Sequence, residues 1–339
     1  MDEAPTSGGG AKRRFRTLTV MTVVLAGMAG IAVTIVLTAR DPGPSARRTA
    51  GGALVAQPEQ EALDPAFFAS GSCIALRPTA GDRGQTVFLD AGHGGLDPGA
   101  VGVTASGQTI EEADETLPVE LDAADLLRAQ GFRVVVSRTG DSTVLRLGPA
   151  DVSGDELSLL GAHDDVAARD VCADDAHASA LVGIYFDAGG SPDDAGSLTA
   201  FDPSRPFSSA DLRLADLVQA NVLAGMNAQG WAIPDAGVET DTTLGSVSGD
   251  PASGGLAAAA GAYDHLMLIG PAATGYFSTP SQMPGAVIEP LYITDPAEGT
   301  IAASPAGQTV IAQGIATAVE QFLAPRPAPH PSSTTVPTG

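Results

Sequence analysis

Apolar positions along the chain follow two patterns that alternate. Short unbroken runs, Gln85–Asp90 (QTVFLD), Phe132–Ser137 (FRVVVS) and Ala180–Phe186 (ALVGIYF), have the length and β-branched content of buried strands. Between them the apolar residues recur every three or four positions. In Glu111–Gln130, Leu117, Leu121, Ala124 and Leu127 share one helical face, acidic residues crowd the first turns as the helix dipole favours, and Gly131 ends the segment. The same spacing predicts helices over His163–Ala178, Ser209–Gln229 and Pro305–Leu323, and further apolar runs predict strands at Leu266–Ile269 and Ala286–Leu291. Strand, helix and strand at this spacing imply right-handed βαβ crossovers. The expected class is therefore α/β: a mostly parallel or mixed twisted sheet with helices on both faces, in a single domain. In such sheets ligands lie beyond the carboxyl ends of strands. His93, Tyr185 and Glu289 fall at or just after such ends, and Glu112 opens the helix after the first strand.

Outside that domain the pattern changes. Thr17–Ala39 is an almost uninterrupted apolar run, long enough to span a bilayer as a helix, and four basic residues (Lys12, Arg13, Arg14, Arg16) precede it. The sequence thus predicts a cytoplasmic basic segment at 1–16 and a signal anchor at 17–39, with a cleaved signal peptide as the alternative; either places the rest of the chain outside the cell membrane. Residues 40–71, rich in Pro, Gly, Ala and Gln, read as a flexible stalk, and 325–339, rich in Pro, Ser and Thr, as a disordered tail. The α/β domain is expected over 72–324, interrupted at 231–262 by a polar, Gly-rich insertion.

Composition sharpens this picture. The net charge is -23, and seven of the 17 basic residues precede residue 72, so the domain itself is more acidic still. Such a surface repels phosphate backbones, which argues against nucleic acid as a partner. Cys73 and Cys172, the two cysteines of the chain, suit an extracytoplasmic address, where a bridge between them would tie the start of the domain to a later helix.

The strongest chemical signal is Val87–Gly102, VFLDAGHGGLDPGAVG, in which glycines flank His93 on both sides and leave its imidazole unobstructed. The string resembles the opening motif of the zinc-dependent N-acetylmuramoyl-L-alanine amidases, and the resemblance continues in order from Thr86 to about Leu323. It implies that His93 is a zinc ligand and that Glu112, five residues before Leu117, is a second, with Glu111 as the fallback; Thr116 stands where the family has Asn. Arg169–Asp174 (RDVCAD) resembles the element ahead of the family's third strand and fixes the register of that strand. There the family's His ligand corresponds to Tyr185, in VGIYFDA. Catalytic zinc usually holds three protein ligands and a water. Three side chains are candidates to complete the set: Tyr185 as a phenolate, His265 from YDHLM, or Asp187 two positions along the same strand face. His177, eight residues before Tyr185, belongs near the opposite end of that strand and is set aside.

Pro284–Glu298 (PGAVIEPLYITDPAE) resembles the family element whose Glu is catalytic, which places that role on Glu289; Pro290 and Leu291 depart from the pattern. A carboxylate after three apolar residues is half-buried, which raises its pKa and suits a general base. The resemblance implies a hydrolase, which the anchor at 17–39 would tether to the membrane and which is expected to be a monomer. Its substrate would be peptidoglycan, cut at the amide between N-acetylmuramic acid and L-Ala with Zn2+ as cofactor. The rival reading is a degenerate amidase fold that binds cell-wall fragments or a partner without cutting.

Overall fold

The structure, a computed structural model, describes residues 46–48, 54–56, 59–191, 194–243, 259 and 262–325. The expected basic segment, the anchor at 17–39, most of the insertion and nearly all of the tail lie outside the described residues. Eight strands form the main sheet: Gln60–Ala62 (β1), Ser72–Leu76 (β2), Thr86–Ala91 (β3), Arg133–Arg138 (β4), Ala180–Ile184 (β5), Ser197–Phe201 (β6), Asp235–Thr240 (β7) and Gly285–Glu289 (β8). Their order is β7-β6-β8-β5-β3-β4-β2-β1. The central strands β8, β5, β3 and β4 run parallel, so their carboxyl ends share one edge, whereas β6 and β2 are antiparallel to their neighbours β8 and β4. Among the described residues five helices accompany the sheet: Glu112–Ala129 (α1), Leu159–Asp175 (α2), Ser208–Ala228 (α3), Pro296–Ala302 (α4) and Pro305–Leu323 (α5).

Strand alternation decides which face each side chain serves. Val87 and Leu89 of β3, Val134 and Val136 of β4, and Val182 and Ile184 of β5 meet Val119, Leu127, Val222 and Ile315 from α1, α3 and α5. Phe88, Val135 and Leu181 point the other way, onto Ala168, Cys172 and Ala173 of α2. Both faces are therefore covered, as parallel strands with continuous apolar runs require. On the α2 face, Cys73 of β2 and Cys172 of α2 form a disulfide with a Cα–Cα distance of 5.7 Å.

Four features depart from the sequence expectation. The packed part of the chain begins before residue 72: β1 pairs with β2, and Phe68, only 1% exposed, is buried against the α2 face, so residues 59–71 are not stalk. Burial of one such ring contributes about 1.5–3 kcal/mol, enough to hold a short segment down. Leu266–Ile269 is a turn closed by Gly270 N donating to Leu266 O, with Leu268 and Ile269 buried as loop anchors rather than strand residues. The strand it would have supplied is instead Ser197–Phe201, whose Thr199 hydroxyl is buried by donating to Gln219 Oε1 at 2.9 Å. Finally, Asp235–Thr240, inside the expected insertion, is the edge strand β7.

Candidate active site

The site grows from the carboxyl end of β3. Two buried guanidinium groups grip the loop after that strand. Arg138 donates to the carbonyls of Ala91, Gly92 and Ala113, and Arg169 to those of Ala91 and His93 as well as to Asp90 Oδ1 at 2.6 Å and Asp165 Oδ2 at 2.9 Å. So held, His93 adopts φ +61°, a strained conformation for a residue with a Cβ and one that persists only where surroundings impose it. The neighbouring glycines are needed for space. A Cβ on Gly92 would lie 2.5 Å from the Tyr185 ring, and one on Gly99 would lie 2.6 Å from the His93 ring.

Glu112 opens α1 facing His93, with its Oε2 3.1 Å from His93 Nε2. It is 3% exposed, and its two oxygens accept from the backbone N–H groups of Ala100 and Phe186, both at 2.9 Å. The other imidazole nitrogen, Nδ1, lies 2.8 Å from Asp97 Oδ2, which fixes the plane of the ring. Burial works to lower the pKa of the imidazole, but these two carboxylates outweigh it and push it up to about 10. Thr116, in the position where Asn was expected, donates its hydroxyl to Gly92 O and accepts from Arg138. Glu111 is exposed and does not cap α1 with its side chain.

Glu289, the last residue of β8, reaches the same edge, close enough to sense His93, Glu112 and Asp187. Burial raises its carboxyl to about 8, and repulsion from Asp187 and Glu112 adds to this. Asp187 shares a hydrogen bond with Glu289, so it serves as a neighbour of that carboxyl. Tyr185 is half-buried beside them, its ring edge-on to His93 with centroids 5.4 Å apart. Its hydroxyl donates to Asp90 Oδ2 at 3.1 Å, and burial, with Asp90 beside it, drives its pKa well above the phenol range. Its hydroxyl is thus held as a donor to Asp90.

His265 does not complete the set either. It pairs with Asp202 and Asp241 beyond the carboxyl ends of β6 and β7, and β6 runs opposite to β8 with Leu198 beside Glu289. Asp202 is four residues past Leu198, which puts that cluster about 13 Å further down the sheet, at its opposite end. Among the described residues no third His, Cys, Asp or Glu joins His93 and Glu112 within ligand distance of one ion. The residues present thus do not fit the three-ligand zinc centre that the motif implies. Beside His93 lies a cavity of about 720 Å³ lined by Asp97, Pro98, Leu157, His163, Met267 and Tyr276. Its volume lies within the range of small-molecule binding pockets.

Pattern reading missed the ion network of Asp90, Asp165 and Arg169, and the Arg138 guanidinium beside it, beneath this loop. Its only local signal was the placement of Asp90 and Arg169 within the resembling motifs, because their pairing spans 79 residues.

A family model described as N-acetylmuramoyl-L-alanine amidase matches residues 87–321. Two curated proteins of Bacillus subtilis (strain 168) are similar over 59 residues, or 17% of this chain: the uncharacterized protein YqiI at 43% identity and the germination-specific N-acetylmuramoyl-L-alanine amidase at 42%. The matched stretch spans about a quarter of each, 26% and 23% of their lengths. Among solved structures, the CwlD amidase of Clostridioides difficile, in complex with the GerS lipoprotein, superposes with a TM-score of 0.51 at 18% identity, covering 70% of this chain and 98% of that one.

Proposed function

Because the chain belongs to the N-acetylmuramoyl-L-alanine amidase family, matched over residues 87–321, we propose that its α/β domain acts on peptidoglycan and hydrolyses the amide between the muramic acid lactyl group and L-Ala of the stem peptide. The observation that carries this reading is the convergence of His93, Glu112 and Glu289, from distant parts of the chain, at one edge of the sheet beside an open cavity. The scissile amide would lie between the His93–Glu112 wall and Glu289. Raised to about 8, the Glu289 carboxyl exchanges its proton near neutral pH. Ionised, it takes a proton from the attacking water; protonated, it returns one to the departing amine of L-Ala. Asp97 and Glu112 orient the imidazole, and the Arg138 and Arg169 guanidinium groups keep the loop from relaxing away from its strained φ. The apolar run at 17–39 supports tethering of this domain at the outer face of the cell membrane, within reach of the wall.

A second reading has its own observation. With Tyr185 filling the expected ligand position and bonded to Asp90, the same cleft would hold muropeptide without cutting it. Full-length protein incubated with purified muropeptides separates the two. Release of stem peptides, lost in Glu289→Gln, supports hydrolysis; retention of muropeptide with no release by wild type, together with release gained in Tyr185→His alongside bound zinc, supports recognition alone.

A further inference from the structure

At the end of the sheet opposite His93 and Glu289, two parallel neighbours stop side by side. Phe201 and Thr240 are the last paired residues of β6 and β7, and each is followed directly by an aspartate, Asp202 and Asp241. The turn at Leu266–Gly270 sets His265 against both. Its Nδ1 is 3.2 Å from Asp202 Oδ2 and 3.0 Å from Asp241 Oδ2, and one ligand atom from each of the three residues falls within 4.8 Å of the others. These separations are close to the ~3.3 Å edge of a tetrahedron with metal–ligand bonds of about 2.0–2.1 Å.

The second observation is independent of that clustering. Both aspartates are almost wholly buried, at 0% and 1% exposure, yet Asp202 Oδ2 and Asp241 Oδ1 have no hydrogen-bond partner. Their remaining oxygens are engaged: Asp202 Oδ1 accepts from Ser204 N, and Asp241 Oδ2 from Leu266 N at 3.2 Å, contacts that orient the carboxylates. The nearby guanidinium of Arg205 does not relieve them, because it donates to the carbonyls of Ile269, Gly270 and Ser281. Two buried carboxylates therefore face one imidazole. Even protonated, that ring brings a single positive charge to two carboxylates, and Arg205 donates to neither, an arrangement that is costly out of water. A divalent cation would remove the excess and take the unpartnered lone pairs.

We propose that Asp202, Asp241 and His265 form a metal site, separate from the amidase cleft, for a borderline divalent cation, Zn2+ or Mn2+. One imidazole with two carboxylates favours these over Ca2+ or Mg2+, which prefer all-oxygen shells. The His265 side chain is 22% exposed, which leaves a route for the ion and room for a water as fourth ligand. Bound there, the cation fastens the ends of β6 and β7 to the 262–270 turn. The proposal is independent of whether the cleft cuts peptidoglycan.

Calorimetric titration of full-length protein in detergent, stripped by chelator and dialysed, tests it with ZnCl2 and, separately, MnCl2. The expected result is one equivalent of at least one of the two cations at micromolar affinity or better, with the melting midpoint raised by several degrees. That equivalent survives in the His93→Ala/Glu112→Gln variant and is weakened at least tenfold in Asp241→Asn. If Asp241→Asn does not fold, His265→Gln, at a partly exposed position, must show the same weakening. Uptake of neither cation by wild type overturns the proposal. So does an equivalent that vanishes with His93→Ala/Glu112→Gln but persists in Asp241→Asn or His265→Gln.

Discussion

Tyr185 sits where a ligand was expected, and its hydroxyl is engaged with Asp90 instead. Donating to Asp90 Oδ2, it satisfies a carboxylate that is wholly buried and whose other oxygen already pairs with Arg169. Removing only that donor, in Tyr185→Phe, leaves the Asp90 oxygen unsatisfied and should cost about 1–3 kcal/mol. Urea unfolding measures it as a lower midpoint at unchanged slope; an unaltered midpoint would show that the bond is not made in solution. Glu289 carries the other residue-scale expectation. With its carboxyl raised to about 8 by burial first and its acidic neighbours second, its base form appears only as pH climbs through that value. Amide hydrolysis should therefore rise between pH 6 and 9, and Glu289→Gln should lower the rate by about 10²–10⁴-fold with muropeptide binding kept. A rate that falls over that range would assign Glu289 the acid role alone.

Among the elements, β2 and α2 are joined by the Cys73–Cys172 bridge, which closes a loop of 99 residues in sequence separation. The chain-entropy argument gives such a crosslink about 4–5 kcal/mol, so Cys73→Ser/Cys172→Ser should unfold at clearly lower urea concentration than wild type; equal midpoints would mean the bridge is not formed or not constraining. The pair was legible from the sequence, as were β3, α1, β4, α2, β5, α3, β8 and α5, because each is announced by a burial pattern within its own length. Other parts were hidden for a physical reason. SLTAF reads as half polar until Gln219, 20 residues from Thr199, is seen to accept its hydroxyl. LMLI reads as a strand until the turn at Gly270 shows that Leu268 and Ile269 anchor a loop. The site divides in the same way: glycine spacing exposed His93 and motif order exposed Glu112 and Glu289, whereas the state of Tyr185 depends on Asp90, 95 residues away.

Over the whole molecule, buried acids set the response to pH. Burial raises Glu115 to about 7, Glu120 to about 8 and Asp211 to about 7, so the folded protein holds protons that the unfolded chain has already released. Stability from such groups is complete below their unfolded pKa values and is lost as pH rises through the folded ones. Asp97, held low by His93, acts in the opposite sense, but only in acid. With a net charge of -23 adding self-repulsion, the melting midpoint should fall steadily from pH 5 to pH 8. Thermal melts across that range check this, and a rising midpoint would mean these carboxyls are ionised in the folded state.

The central claim is that the edge holding His93, Glu112 and Glu289 breaks the lactyl amide of peptidoglycan, and isotope placement tests it most directly. Full-length protein would digest purified muropeptides in H2(18)O, with products read by mass spectrometry. The account predicts one heavy oxygen on the muramic acid lactyl carboxylate and a stem peptide that departs with the free amine of L-Ala, both absent with Glu289→Gln. Heavy oxygen on a sugar hydroxyl or a peptide carboxylate, or none incorporated by wild type that nevertheless binds the muropeptide, would contradict it.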